Sequence, residues 1–194
     1  MYLGQIIQKF SSLIGINNTI KQYVNTYENK DLLSHLLEGE LDKIEIFLKE
    51  KNIEDARSQI DIILYKKESL PEELECRLIF LKGNIESELD NFSGVNLIID
   101  SLSEKEKGRK YSLELKYIKA IKLDNEELMR ECIDEFISSG EDEITILKRQ
   151  LKFYFNNMHF NRIIEKVDYI EENQIKDRDI FYYIAVSYLN TGDN

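Results

Sequence analysis

Residues 89–102 read LDNFSGVNLIIDSL and residues 123–136 read LDNEELMRECIDEF, so the same three residues open two segments that lie 34 positions apart. Behind this opening, apolar residues keep the spacing of 34 through a third copy: Val95, Met129 and Ile163; Ile99, Ile133 and Val167; Leu102, Phe136 and Ile170. A further copy precedes these by 39 residues, with Ala56, Ile60 and Ile63 in the corresponding places. Coordinated positions in several copies indicate an internal repeat.

Apolar residues follow a spacing of three and four along almost the whole chain, which is typical of helices with one buried face. This spacing predicts helices over about 2–14, 16–27, 32–50 and 53–67, and places Pro71 in the first turn of the next helix. Short polar breaks separate the later helices: Asp90–Asn91, Lys107–Gly108, Asp124–Asn125, Gly140, Asn156–His159, Lys176–Asp177 and Gly192–Asp193. Helices joined by such breaks pack as antiparallel neighbours, and the expected fold is all-α.

Composition narrows the class of protein further. The 194 residues are 42% apolar, enough for a buried core, and they contain one Pro and two Cys, too few Cys for a disulfide scaffold. The net charge of −11 disfavours nucleic acid as a partner, because the chain repels a phosphate backbone. The longest apolar run, Phe181 to Val186, is far shorter than a membrane span. We therefore expect a cytoplasmic protein that is not in the membrane.

A helix–turn–helix period of 34 residues resembles the tetratricopeptide repeat. Gly83 and Ala56 fill positions where that family has small residues, and Phe92 and Phe160 fill the aromatic position after the turn. The best local match to the family's first helix and turn lies at the C-terminus: Phe181, Ile184, Ala185, Tyr188 and Gly192. Other positions depart from the pattern, so the repeats are degenerate; large residues stand where the family prefers small ones at Tyr117 and Leu151.

This resemblance implies a right-handed α-solenoid of antiparallel helix pairs over residues 31–194. Its repeats would cover about 31–69, 70–106, 107–140, 141–175 and an incomplete 176–194, and residues 1–30 would form a short helical cap. The last helix is apolar all round and has no partner helix, which favours the N-terminal part of a longer protein.

No motif for catalysis is present. His35 and His159 lie far apart in the sequence and neither neighbours a Cys, and no His lies near Cys76 or Cys132. No glycine-rich phosphate loop occurs either. The sequence therefore predicts a protein that is not an enzyme and that uses no metal or cofactor.

In tetratricopeptide arrays, selected positions of the first helices line a concave groove that binds a peptide or protein segment. The resemblance transfers this role to Lys148, Lys152, Phe155, Asn156, Tyr182 and Asn84. Lys148 and Lys152 are one helical turn apart and resemble the basic pairs that hold a peptide's carboxylates, while Phe155 and Tyr182 offer stacking area. A solvated helix face with ordinary lysines is the alternative.

The N-terminus leaves a second function open. Leu3-Gly4-Gln5-Ile6-Ile7 and Leu37-Glu38-Gly39 resemble parts of helix-turn-helix repressor domains, which precede a tetratricopeptide array in peptide-sensing regulators of the Rap and PlcR kind. The chain would then be a ligand-responsive transcriptional regulator with residues 1–40 as its head. Its candidate recognition helix contains Lys21 but no Arg, which favours a cap over a DNA reader. The sensor region of an enzyme fusion and a homo-oligomer also stay open.

Overall fold

In the computed structural model, residues 30–65 and 70–192 are described, and they contain helices, turns and no strand. We number the helices in chain order: α1 Lys30–Lys49, α2 Ile53–Tyr65, α3 Glu72–Glu88, α4 Phe92–Ser103, α5 Arg109–Lys122, α6 Glu126–Ser138, α7 Glu143–Asn156, α8 Phe160–Ile164, α9 Val167–Glu172 and α10 Arg178–Thr191. The all-α prediction is therefore confirmed for this part of the chain. The predicted cap, residues 1–30, lies outside the described residues except for Lys30, and none of the described helices is long and apolar enough to cross a membrane.

The chain divides into two compact units, one ending at Ile85 and one beginning at Glu86. In the first unit, α1 packs against α2. Its core is aliphatic, because each helix turns a stripe of Leu and Ile inward: Leu37, Leu41, Ile44, Ala56, Ile60, Ile63, Leu74, Leu78, Leu81 and Ile85. The Arg77 guanidinium on α3 reaches Asp42 at 2.7 Å and Glu45 at 2.5 Å on α1.

In the second unit, each helix from α4 to α7 packs against the helix that follows it in the chain. The α5–α6 hairpin is joined at Asp124–Asn125 and closed by an edge-to-face pair of Tyr117 and Phe136, with ring centroids 6.0 Å apart. Helices α5 and α7 run parallel: Glu114 bonds to Arg149 near their starts, and Asp124 lies 2.7 Å from His159 just beyond their ends. Parallel first helices separated by antiparallel second helices are the arrangement expected of stacked helical hairpins.

The turns repeat the spacing of the sequence. Left-handed backbone conformations occur at Lys51 (φ 59°), Asp90 (φ 55°), Asp124 (φ 48°), Met158 (φ 59°) and Gly192 (φ 76°), which are 39, 34, 34 and 34 residues apart. Such a residue is the usual end of a helix, because it lets the next amide bond back to the last turn. The residue after it then starts the next helix, so each hairpin reverses over the same short stretch.

At two of these turns, an asparagine both ends one helix and begins the next. The Asn125 amide N–H donates to the Ala120 carbonyl at 3.0 Å and ends α5, while its side-chain oxygen accepts from the Leu128 amide at 2.9 Å and begins α6. Asn91 does the same between α3 and α4, accepting from the Gly94 amide at 3.2 Å. A residue that ends one helix and caps the next explains why Asp-Asn marks the boundary in the sequence.

One predicted helix is divided. The repeat register places Ile163, Val167 and Ile170 on a single second helix, but the structure ends α8 at Ile164 and begins α9 at Val167. The Lys166 amide N–H donates to the Ile163 carbonyl at 3.0 Å, three residues back along the chain. In a continuous α-helix it would donate to the carbonyl four residues back. Neither Gly nor Pro lies here, so the sequence carries no signal for this break. Ile163 and Ile170 are buried as the register predicts, and Val167 is partly buried.

Candidate docking surface on α7 and α10

Helix α7 carries most of the predicted groove residues. It begins at Asp142, whose side chain accepts from the Thr145 amide at 3.0 Å and the Thr145 hydroxyl at 2.6 Å. These hydrogen bonds hold the pKa of Asp142 below its usual value. Two stripes of α7 are distinct: one faces the core through Ile146, Leu147, Leu151 and Phe153, and the other carries Lys148, Lys152, Phe155 and Asn156.

Lys148 is held by two aspartates of the next first helix. Its ammonium lies 3.1 Å from Asp177 and 2.8 Å from Asp179. The hydrogen bonds that Lys148 donates to Asp179 and Asp177 raise the pKa of Lys148. Burial raises the pKa of Asp177, but the hydrogen bonds that Asp177 accepts from Lys148 and from the Ile180 and Asp179 amides outweigh it, so this pKa is lowered. Asp177 also caps α10. Lys148 therefore joins α7 to the start of α10, and its charge is matched within the chain.

Aromatic rings fill the other end of the contact between α7 and α10. The Phe155 ring centroid lies 5.7 Å from that of Tyr182, 4.9 Å from that of Tyr183 and 6.1 Å from that of Phe160. Tyr182 remains 57% exposed, while Phe155 is partly buried. Burial, with a smaller contribution from Asp179, raises the pKa of Tyr183. The structure thus brings the predicted pair Phe155 and Tyr182 together and adds two rings.

Lys152 and Asn156 lie beside these rings and are exposed. Within residues 30–65 and 70–192, no carboxylate forms an ion pair with Lys152. We call Lys152, Phe155, Asn156, Tyr182 and Tyr183 the aromatic surface. Because Lys148 is paired, this surface offers one available ammonium group where the sequence predicts two.

Asn84, the remaining predicted groove residue, lies on α3 in the first unit. Its side-chain oxygen is buried and accepts no hydrogen bond from any described residue. A buried acceptor without a donor costs roughly 1–3 kcal/mol. Asn84 belongs to the first unit and the other predicted groove residues to the second, so its part in a shared groove stays a prediction.

Sequence reasoning missed Arg149, which joins two carboxylates of the second unit. The Arg149 guanidinium forms bidentate contacts with Glu114, at 3.1 and 2.6 Å, and with Glu141, at 2.8 and 2.7 Å. It also lies 3.7 Å from the centroid of the Phe136 ring. Burial lowers the pKa of Arg149, but the hydrogen bonds that Arg149 donates to Glu141 and Glu114 outweigh it, so the pKa is raised. Its only sign in the sequence is that an Arg stands at a repeat position where the other copies have apolar residues.

A cleft of about 590 Å³ lies next to this network, between the start of α5 and the end of α6. Its walls carry both signs of charge, with Arg109 and Lys110 on α5 facing Asp134 and Glu135 on α6. Across the described part of the chain, no group of three His, Cys, Asp or Glu side chains is arranged to hold a metal ion. Cys76 and Cys132 are buried, as core packing predicts.

Comparison with known proteins gives no relative. No family model matches the chain, and neither a curated protein nor a solved structure matches it.

Proposed function

We propose that the protein is a non-catalytic docking protein that binds a peptide or protein segment on the aromatic surface. The observation that carries this proposal is the ring cluster of Phe155, Tyr182 and Tyr183, left half open beside the exposed Lys152 and Asn156. Aromatic rings next to polar groups are typical of the energetically dominant part of a protein interface.

Each side chain has a distinct part in binding. Tyr182 offers ring area with little loss of side-chain freedom, and the Asn156 amide can both donate to and accept from a peptide backbone. The Lys152 ammonium attracts one carboxylate, while Lys148 is neutralised by Asp177 and Asp179. The segment that fits is therefore apolar or aromatic with a single acidic group, rather than one held by a pair of lysines.

The proposal includes a tetratricopeptide-like, right-handed array as the frame of this surface, in a cytoplasmic protein. The turn spacing of 34 residues and the parallel course of α5 and α7 support it. In such an array, successive first helices present their residues on one side, which is how α7 and α10 come to share a surface.

Photo-cross-linking tests the proposal. Benzoylphenylalanine replaces the exposed Tyr182 in one variant and the exposed Leu97 on α4 in a matched control, and both chains are irradiated in an extract of the source organism. We expect one protein to cross-link through position 182 and not through position 97. Adding Lys152→Glu to the first variant should remove that cross-link, because the lysine would be replaced by a repelling carboxylate. The same cross-links from both positions, or cross-links that persist with Lys152→Glu, would refute the proposal.

A further inference from the structure

Helix α10 exposes an apolar face that borders Tyr182 of the aromatic surface. Phe181 is 50% exposed and Leu189 is 75% exposed, with the exposed Ala185 between them at a spacing of four. Residues 180–191 contain no charged side chain at all. The opposite side of the helix is packed through Ile180 and Ser187, both fully buried. This outer face of α10 consists of Phe181, Ala185 and Leu189, one above another.

The same register positions are covered in the two preceding first helices. Subtracting 34 from Phe181 gives Leu147, which is 5% exposed, and subtracting 34 again gives Leu113, which is 8% exposed. For Ala185, the corresponding residues are Leu151 at 0% and Tyr117 at 2%. Positions that are buried on both α5 and α7 are therefore exposed to solvent on α10.

On α5, a second helix covers these positions together with Ile146 and Phe153 of the next first helix, α7. Leu113 and Tyr117 share a core cluster with four α6 residues at helical spacing: Met129, Cys132, Ile133 and Phe136. Because α5 and α6 are antiparallel, the end of α6 lies beside the start of α5. The occupant of the equivalent place on α10 is therefore a helix with apolar residues at i, i+3, i+4 and i+7.

Charged residues near the start of α10 indicate which charges the bound helix should carry. Arg109 and Lys110 at the start of α5 line one cleft with Asp134 and Glu135 at the end of α6, and Glu135 also pairs with Lys116 of α5 at 3.2 Å. Lys110 plus two repeats of 34 gives Arg178, at the start of α10. Arg178 is exposed, and no described carboxylate forms an ion pair with it. The occupant of α10 should thus carry acidic residues at its C-terminal end, opposite Arg178.

We propose that the outer face of α10 binds an acidic amphipathic helix of a partner protein, antiparallel to α10. The helix lays its apolar stripe on Phe181, Ala185 and Leu189, and its C-terminal carboxylates on Arg178. Ala185 stands where α5 and α7 have Tyr117 and Leu151, so the partner's helix places a bulky apolar side chain over it. This site borders Tyr182 of the aromatic surface, but it is formed by other residues of α10 and extends beyond the proposed function.

A synthetic helix tests the proposal. The probe is a fluorescein-labelled, amidated peptide of residues 125–139 with Cys132→Ala, which carries the required apolar stripe and acidic C-terminal end. Fluorescence anisotropy measures its binding to the full chain. A single helix face gives a small interface, so we expect a dissociation constant of about 10–100 µM.

Substitutions on α10 assign the site. Phe181→Asp should weaken binding about tenfold or more, because it puts a carboxylate in the apolar contact. Arg178→Glu should weaken it about threefold, and a peptide with Asp134→Lys and Glu135→Lys should restore that loss. The matched control is Leu97→Asp on α4, which is 72% exposed and should bind like the wild type. Circular dichroism checks that each variant keeps its helix content.

Three results would overturn the proposal. The peptide could fail to bind at about 1 mM, roughly ten times the weakest expected constant. Its binding could survive Phe181→Asp, which would show that it displaces the chain's own α6. Sedimentation velocity could show a dimer of the wild type that Phe181→Asp dissociates, which would make a second copy the occupant. Since Lys152→Glu leaves α10 unchanged, failure here and failure of the aromatic surface give different results.

Discussion

Replacing Arg149 with Ala should destabilise the second unit far more than replacing an ordinary surface arginine. Arg149 makes four hydrogen bonds to Glu114 and Glu141, and its side chain is only 16% exposed. Removing one partner of a fully buried ion pair costs about 3–5 kcal/mol. Glu114 and Glu141 are 35% and 25% exposed, so water can replace part of the loss, and we take about 2 kcal/mol. The stacked Phe136 ring adds about 1 kcal/mol, for a total of about 3 kcal/mol.

Urea unfolding followed by far-ultraviolet circular dichroism measures this change. The matched control is Arg130→Ala, whose side chain is 68% exposed and pairs with Glu126 at 2.6 Å within one helix. Such a pair contributes less than about 0.5 kcal/mol. Arg149→Lys keeps the charge but loses the planar fork and the stacking, so it should fall between, at about 1.5 kcal/mol.

An equal unfolding free energy for Arg149→Ala and Arg130→Ala, within error, would refute this role of Arg149. An Arg149→Lys variant as stable as the wild type would also refute it, because the position would then need only a positive charge.

Three further changes follow from the turns and the buried groups. Met158→Gly should raise the unfolding free energy by about 0.5–1 kcal/mol in a urea titration, since Met158 is 76% exposed and left-handed, and Gly relieves the conformation. The pKa of Asp177 is lower in the folded chain than in the unfolded chain, so its carboxylate stabilises the fold above the unfolded pKa, and this stability is lost as the pH falls through the folded pKa. Asp177→Asn should therefore make the melting temperature depend less on pH below about pH 4. Burial raises the pKa of Cys132 to about 11, so unfolding should become easier as pH rises from about 9 to 11, and Cys132→Ala should reduce that slope.

The sequence predicted what depends on neighbouring residues. Asp90-Asn91 and Asp124-Asn125 mark helix ends because one residue takes the left-handed conformation and the next caps a helix, and both preferences are local. The register also placed Met129 and Ile133 correctly in the core. The division after Ile164 was not predicted, because no Gly, Pro or cap residue accompanies it.

The electrostatic part of the site could not be read from the sequence. Lys148 and Asp177 are 29 residues apart, and they meet only because α7 and α10 run parallel at a particular separation. Lys148 and Lys152 look alike as two lysines one turn apart, yet only Lys148 reaches an aspartate among the described residues. The repeat register placed Phe155 and Tyr182 on adjacent first helices, but it did not predict the contact between their rings.

The contacts between helices of the second unit affect the order in which its parts unfold. Every packed pair there is separated by at most two other helices, and its long hydrogen bonds join residues no more than 35 positions apart. Closing such short loops loses little chain entropy, so each hairpin can open and reform without waiting for the rest. Amide hydrogen exchange should accordingly fall into a series of protection levels along the chain, with α10, which exposes Phe181 and Leu189, among the earliest to exchange. A partner helix bound there would slow that exchange first at α10 and then, in order, at the hairpins behind it.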